Sequence, residues 1–463
     1  MENKDKKNIS RRNFLKTLGV GSVATTAALY GCKQSNTVSG EGGTIGEVPT
    51  DKMTYRTNHI TGDKVSLLGY GCMRWPLRPK ADGSGEEEID QEAVNELVDY
   101  AIAHGVNYFD TAPVYIRGWS ETATGIALKR HPRDKFFVAT KLSNHRGPYD
   151  LKSCIDMYHK SMRDLQVDYI DYYLLHSLGS GGVEQFKTRF INNGLLDYLL
   201  EERKAGRIRN LGWSFHGDVE VYDYVLAMEV KWDFVMIQMN YQDWQHADPA
   251  RNVNAEYLYG ELEKYNVPAI IMEPLLGGRL SRLSAPALNI LKEMHPEDSA
   301  AKWAFRYAGT PKNVLTVLSG MTYMEHLQEN IRTYAPLAPL NEQEYKLLDQ
   351  VTEILINSNY IQCTECQYCM PCPYRVDIPA IFTHYNRIIS AGQKLESAND
   401  ENYKEARRAF LVGYDRSVPK LRQSNHCIGC NLCKPRCPQK IDIPEEMRRI
   451  DAYTEQLKQR KDF

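Results

Sequence analysis

The stretch Val106-Asn-Tyr-Phe-Asp110-Thr-Ala-Pro-Val-Tyr115 decides how the chain is read. Val106 to Phe109 is a short apolar run, and it delivers Asp110 and then Tyr115 onto the loop at its end. A carboxylate and a phenol five residues apart beyond a strand are placed to share one site. Similar runs recur at Val65–Gly69, Phe136–Ala139, Tyr169–Leu175, Ile208–Gly212, Phe234–Gln238, Ala269–Met272 and Val314–Leu318. They are β-branched and continuously apolar, as strands buried on both faces are. Amphipathic stretches separate them, among them Gln91–His104, Leu151–Gln166, Gly194–Ala205, Val219–Glu229 and Ala255–Tyr265. Eight β-then-α units predict an α/β fold, a (β/α)8 TIM barrel over 53–340; a doubly wound sheet is the alternative.

In such a barrel the chemistry sits where strands end. Those positions hold Asp110 and Tyr115, then Lys141, His176, Ser214, Gln238, Glu273 and Gly320. Lys, Asp, Tyr and His at three adjacent strand ends form an acid–base set. A free phenol, with a pKa of about 10, is a poor donor to a carbonyl at neutral pH. A neighbouring ammonium is expected to lower that pKa, a carboxylate to neutralise the ammonium, and an imidazole to orient the carbonyl oxygen. The bland alternative for Asp110 and Lys141 is a structural salt bridge. Arg74, Trp75, Trp119, Trp244 and His246 fall on loops and are candidates for a substrate rim or for loop packing. Gly179 to Gly182 reads as a hinge rather than a phosphate cradle.

Net charge is −2 with Lys and Arg spread along the chain, which argues against nucleic acid as a partner. Hydrophobic content of 42% and charged content of 25% are those of a soluble globular protein. Of eleven cysteines, eight fall in two tight groups, Cys363-x2-Cys366-x2-Cys369-x2-Cys372-Pro and Cys427-x2-Cys430-x2-Cys433-x3-Cys437-Pro. Such spacing points to metal ligation rather than disulfides, and three thiolates at every third residue suit a cubic cluster better than zinc. The sequel repeats as well, Val376-Asp-Ile-Pro379 against Ile441-Asp-Ile-Pro444, with each proline suited to the first turn of a helix.

Two resemblances follow from these residues. Phe109-Asp110-Thr-Ala-x-x-Tyr115 with Ser120-Glu121, Ala139-Thr-Lys141 and Leu175-His176 together resemble the aldo/keto reductase family. The resemblance implies a barrel enzyme that moves hydride between a nicotinamide and a carbonyl or alcohol. It makes Tyr115 the general acid, has Lys141 and Asp110 tune it, and lets His176 position substrate. By the same resemblance Ser214 and Gln238 hold the nicotinamide carboxamide, Met272 stands where an aromatic often stacks on the ring, and Glu329-Asn330 holds the adenine. The segment around Gly320 belongs to the nucleotide site but lacks the Lys and Arg that grip a 2′-phosphate, so NAD against NADP stays open. The cysteine groups resemble a two-cluster ferredoxin over 341–463. The resemblance places Cys363, Cys366, Cys369 and Cys437 on one [4Fe–4S] cluster and Cys427, Cys430, Cys433 and Cys372 on the other. The mostly helical spacer favours a helical ferredoxin.

Ser10-Arg-Arg-Asn-Phe-Leu-Lys16 resembles a twin-arginine export signal, occupying 1–32, and Leu29-Tyr-Gly-Cys32 resembles a lipobox in which Cys32 would carry a lipid anchor. Residues 33–52 read as a flexible tether spanning about 25 Å. A folded, cluster-bearing protein suits that export route, which predicts a periplasmic or extracytoplasmic, membrane-tethered enzyme with a redox partner at the membrane. Soluble NAD(P)H is not expected there, and a flavin between one-electron clusters and a two-electron substrate has no identifying feature in the sequence. The alternatives are a docking subunit whose barrel has lost hydride chemistry, and a conventional cytoplasmic reductase.

Overall fold

The structure is a computed structural model and describes residues 47–84, 86–248, 252–358, 360–395, 397 and 399–459. The twin-arginine motif and Cys32 lie outside the described residues.

Eight parallel strands close into a barrel: β1 (Leu68–Gly71), β2 (Tyr108–Asp110), β3 (Phe137–Leu142), β4 (Ile170–Leu178), β5 (Ile208–Phe215), β6 (Phe234–Gln238), β7 (Ala269–Met272) and β8 (Val314–Ser319). Each pairs with the next, and β8 pairs with β1 through Val317 and Leu68 to complete the ring. Strands buried on both faces require apolar side chains inward and outward. Tyr108, Tyr172, Leu174, Phe234, Met236 and Ile270 fill the interior, and a second apolar layer lies between strands and helices. The expected first strand, Val65–Gly69, divides in two. Lys64–Ser66 pairs antiparallel with Tyr55–Thr57 in a hairpin, and only Leu68 onward joins the barrel. Continuous hydrophobicity does not register the turn at Leu67.

The helices begin where the sequence supplies a cap. Asp90 accepts from the Ala93 amide before Gln91–Ala103, and Asp150 accepts from Ser153 before Leu151–Leu165. Asn341 and Glu344 form a reciprocal capping box at the head of Glu342–Ile356. That helix lays Leu348, Val351 and Leu355 into one apolar cluster with Trp303 and Leu291, so it packs on the barrel's outer helices.

The cysteine-bearing part, residues 360 onward, contains three longer helices, Ile378–Ser390, Tyr403–Ser417 and Ile443–Gln459. Pro379 and Pro444 lie in the first turns of the first and third, as the duplicated sequel predicts. Phe382, Tyr385, Phe410, Tyr414, Met447 and Ile450 form its core. No strand occurs among the described residues of this part.

A buried ion pair ties Glu342–Ile356 to the helix Ala300–Gly309 that precedes β8. Arg306 donates to both Glu344 carboxylate oxygens at 2.6 and 3.0 Å, with side-chain exposures of 8% and 2%. Removing one partner of such a pair leaves the other charge buried and costs about 3–5 kcal/mol. Glu344→Ala should therefore lower the urea midpoint by that order, because Arg306 keeps only the carbonyls of Ala338 and Pro339. The double change Glu344→Met with Arg306→Leu should cost much less. A single variant no less stable than the double would overturn this account.

Candidate active site

The predicted tetrad meets at the C-terminal mouth of the barrel. Asp110 ends β2, Lys141 lies near the end of β3 and His176 near the end of β4, while Tyr115 starts the short turn after β2. Lys141 Nζ donates to Asp110 Oδ1 at 2.5 Å and to the Thr111 carbonyl at 2.7 Å, and both side chains are buried. The ammonium sits 4.9 Å from the centre of the Tyr115 ring. The imidazole of His176 meets the same ring edge-on at 6.1 Å, and its Nδ1 bonds Ser143 Oγ at 2.6 Å.

The electrostatics correct one expectation. Burial pushes the Tyr115 hydroxyl well above the ordinary phenol range, and Asp110, Cys72, Glu273 and Cys366 push it further. Lys141 does not offset this, because it lies against the ring face and its protons are directed to Asp110 and Thr111. Burial also raises Asp110 above the usual carboxylate range, against the pull of Lys141. His176 is held well below the ordinary imidazole range by burial and by the charges of Lys141, His145, His216 and Arg189. The site thus combines a protonated phenol with a neutral imidazole.

The backbone is strained around this mouth. Ile116 and Arg117 after Tyr115, Ser177 after His176, and Glu273 after β7 all have positive φ. Non-glycine residues in that region cost of order 1–3 kcal/mol and persist where the surroundings impose them, commonly at functional sites.

The surroundings here are the cysteine segment itself. Arg74 donates to the Thr364 carbonyl at 2.7 Å and pairs with Glu365, and Arg279 donates to Gln362. The Thr364 backbone lies so near Gly277 that a Cβ there would stand 2.3 Å from Thr364 Cα. Tyr368, between Cys366 and Cys369, stacks on His145 at 6.2 Å, and His145 meets His176 edge-on at 5.6 Å. Tyr115 contributes to raising the Tyr368 phenol, as Cys366 does for Tyr115. A stretch of the cluster domain therefore roofs the acid site.

The residues assigned to a nucleotide separate into two groups. Ser214 is buried and its hydroxyl accepts from the Ser177 amide. Gln238 donates to Asp243 at 2.5 Å, and its carbonyl oxygen accepts from Gln439 of the cluster domain at 3.5 Å. Met272 points into the barrel interior. Gly320 is exposed beside the Arg74 stem, Glu329 accepts from Ser299, and Asn330 donates to Ser319 Oγ at 3.0 Å. Gln238 is thus taken up by the cluster domain, whereas Glu329 and Asn330 bond within the barrel.

Of the rim candidates, Trp75 is buried on Thr124 and Trp244 packs on Tyr259 and Tyr307, so both are packing residues. Trp119 lies under Arg117, and His246 is exposed. Gly179 is a close-approach turn, since a Cβ there would stand 2.5 Å from the His216 carbonyl oxygen. Tyr368, His145, Ser143, Arg279 and Gln439 escaped sequence reasoning. Tyr368 and Gln439 sit within or beside ligand motifs, where nothing in the spacing marks them as facing a barrel.

The eight grouped cysteines line two cavities. Cys363, Cys366, Cys369 and Cys437 surround a space of about 320 Å³. Cys372, Cys427, Cys430 and Cys433 line a second of about 430 Å³, whose wall Cys369 also joins. The fourth cysteine of each run thus stands with the other run, and the shorter x2 spacing before Cys372 does not prevent it. Among the described residues no three ligands converge closely enough for a single metal ion. Four thiols around a cavity fit a cubic cluster.

The fold and site define a (β/α)8 oxidoreductase with an appended iron–sulfur domain. The chain belongs to the aldo/keto reductase family, whose model matches residues 67–353. A 4Fe-4S dicluster domain model matches residues 362–442. L-galactose dehydrogenase of Arabidopsis thaliana is 27% identical over 324 residues, 66% of this chain and 95% of that protein. Protein tas of Escherichia coli is 31% identical over 179 residues, 33% of this chain and 49% of that protein. An aldo-keto reductase from Bacillus halodurans in its holo form superposes with a TM-score of 0.52 at 24% identity, covering 65% of this chain and 96% of that one. One from Klebsiella pneumoniae, in complex with NADPH, does so with a TM-score of 0.50 at 19% identity, over 65% and 96%. These structural likenesses show the barrel fold.

The histidines at the mouth predict a pH dependence. Burial lowers His216 to about 4, whereas an unfolded histidine titrates near about 6.5. As pH falls through that value the unfolded chain takes up a proton that the folded chain refuses, so stability declines with falling pH. Urea midpoints of the holo-protein between pH 7.5 and 5.5 should fall. His216→Gln should show a shallower fall, and equal slopes would refute the assignment.

Proposed function

We propose that this chain reduces or oxidises a small carbonyl or alcohol in the barrel mouth and exchanges electrons with its own iron–sulfur domain. The observation that carries the reading is the seating of the Gln362–Tyr368 segment over Tyr115 and His176. In this reading Cys363, Cys366, Cys369 and Cys437 hold one [4Fe–4S] cluster beside the acid site, and Cys372, Cys427, Cys430 and Cys433 hold the other. The clusters, when bound, supply or accept single electrons.

The protein's own groups then do the rest. Tyr115 Oη gives its proton to the oxygen of the substrate as charge builds there, and in the reverse direction takes it back. Its high pKa keeps it protonated until that oxygen becomes the stronger base. Lys141 holds a positive charge under the ring and is itself fixed by Asp110. His176, neutral and oriented by Ser143, is suited to donate a hydrogen bond to the same substrate oxygen. Tyr368 and His145 exclude water from above, which strengthens each of these interactions.

A second reading keeps a bound NAD(P)H as hydride carrier between clusters and substrate, as the NADPH of the Klebsiella pneumoniae relative suggests. The exposed Gly320, in the segment that the resemblance gives to the nucleotide, favours it, and the engagement of Gln238 by Gln439 counts against it. A flavin is a further candidate carrier. The N-terminal motif supports export by the twin-arginine route, with Cys32 as a lipid anchor and a redox partner at the membrane. Fractionation that found unprocessed protein in the cytoplasm would exclude that part.

Anaerobic purification should yield about eight iron atoms per chain. Chromatography of the denatured protein separates the two readings, since released NAD(P)H supports the second and its absence the first. Tyr115→Phe should lower carbonyl turnover by about 100-fold or more and leave the iron content and cluster EPR signals intact. Unchanged turnover in that variant would defeat the enzyme reading of the barrel.

A further inference from the structure

The two cluster cavities face different surroundings. The segment that carries Cys363 and Cys366 packs on the barrel, where Arg74 and Gly277 meet Thr364 and Arg279 meets Gln362, whereas the run around Cys430 faces solvent. Cys430 is exposed, and so is the run Ile428 to Leu432 that contains it. Ile428 is 63% exposed, Leu432 52% and Tyr374 45%, and all three line this second cavity. Leu421, 79% exposed, lies on the adjoining turn, next to Arg422, which donates to the Arg375 carbonyl and pairs with Asp377. Three large apolar side chains thus sit in solvent around one opening, with a fourth on the adjoining turn, the kind of patch that marks an interaction site.

The charge around the opening has one sign. Residues 371–376 and 427–436 contain Arg375, Lys434 and Arg436 and no acidic residue. The nearest carboxylates are spent internally, Asp377 on Arg422 and Asp442 on Lys434. Among the described residues Arg375 and Arg436 have no acidic partner. An apolar centre with an unneutralised basic rim is complementary to a partner with an apolar centre and an acidic rim.

We infer that the face formed by Tyr374, Ile428 and Leu432, rimmed by Arg375 and Arg436 and continued by Leu421 on the adjoining turn, is the docking surface for an acidic one-electron carrier protein. The inference rests on the reading of both cavities as cluster sites. An anionic lipid surface would share the charge and apolar chemistry. A covering layer that must also exchange electrons through the Cys430 opening favours a redox protein. The modest patch fits transient electron-transfer encounters, which bury less than about 1,200 Å². Each encounter oxidises the carrier by one electron and reduces this chain by one. Two encounters, with two protons, account for one carbonyl converted to an alcohol.

The test uses the anaerobic holo-protein and a reduced plant-type [2Fe–2S] ferredoxin, an acidic carrier, in stopped-flow mixing. The second-order rate for wild type should fall as salt rises, and Arg375→Glu with Leu421→Glu should lower it about tenfold or more. Iron content, EPR signals and reduction by methyl viologen should not decline in that variant. Equal ferredoxin rates for wild type and variant would overturn the proposal, as would a basic cytochrome c that reacts faster with wild type than with the variant. Equal rates together with loss of binding to phosphatidylserine vesicles would assign the patch to a membrane instead. Cluster reduction by ferredoxin without carbonyl turnover would defeat the carbonyl reading but leave this surface standing.

Discussion

Lys141 and Asp110 hold opposite charges 2.5 Å apart with almost no solvent contact. Two ions taken out of water are stable only when each is closely paired and hydrogen-bonded, and the Thr111 carbonyl completes the ammonium's shell. Much else at the site follows from this pair. It places a positive charge under the Tyr115 ring, contributes to keeping His176 neutral, and joins the ends of two adjacent strands. The pair in turn depends on closure from above, since a mouth open to water would weaken it.

Closure comes from the same segment that carries the first cysteine run. In a barrel that works with a diffusing cofactor the mouth must admit that cofactor. Here Arg74, Arg279, Gly277 and Gln238 all contact residues of the cluster domain. Gly277 shows how close the fit is, because no side chain could stand between it and Thr364. The residues that exclude water from Tyr115 lie within or beside the cysteine motif.

The two halves of the cluster domain divide the labour. The segment of the first run packs on the barrel through Gln362 and Thr364, and the second run presents Cys430, Ile428 and Leu432 to solvent. The exchange of the fourth cysteine between runs holds the two cavities in one small body, and Cys369 stands in the walls of both.

The barrel, the tetrad and the cysteine groups were legible in the sequence because each rests on local periodicity or on short fixed spacing. Continuous apolar runs mark strands buried on both faces, and a residue just past such a run must lie at the mouth, as Asp110, Lys141 and His176 do. Cysteines at every third residue mark a cluster regardless of what surrounds them. The tertiary structure alone decided what faces what. The low basicity of His176 and the phenol of Tyr115 raised rather than lowered come first from burial and then from groups distant in sequence, Lys141 and Cys366 among them, as the engagement of Gln238 comes from Gln439. Burial and Coulomb energy depend on distance in space, and spacing along the chain does not encode that distance.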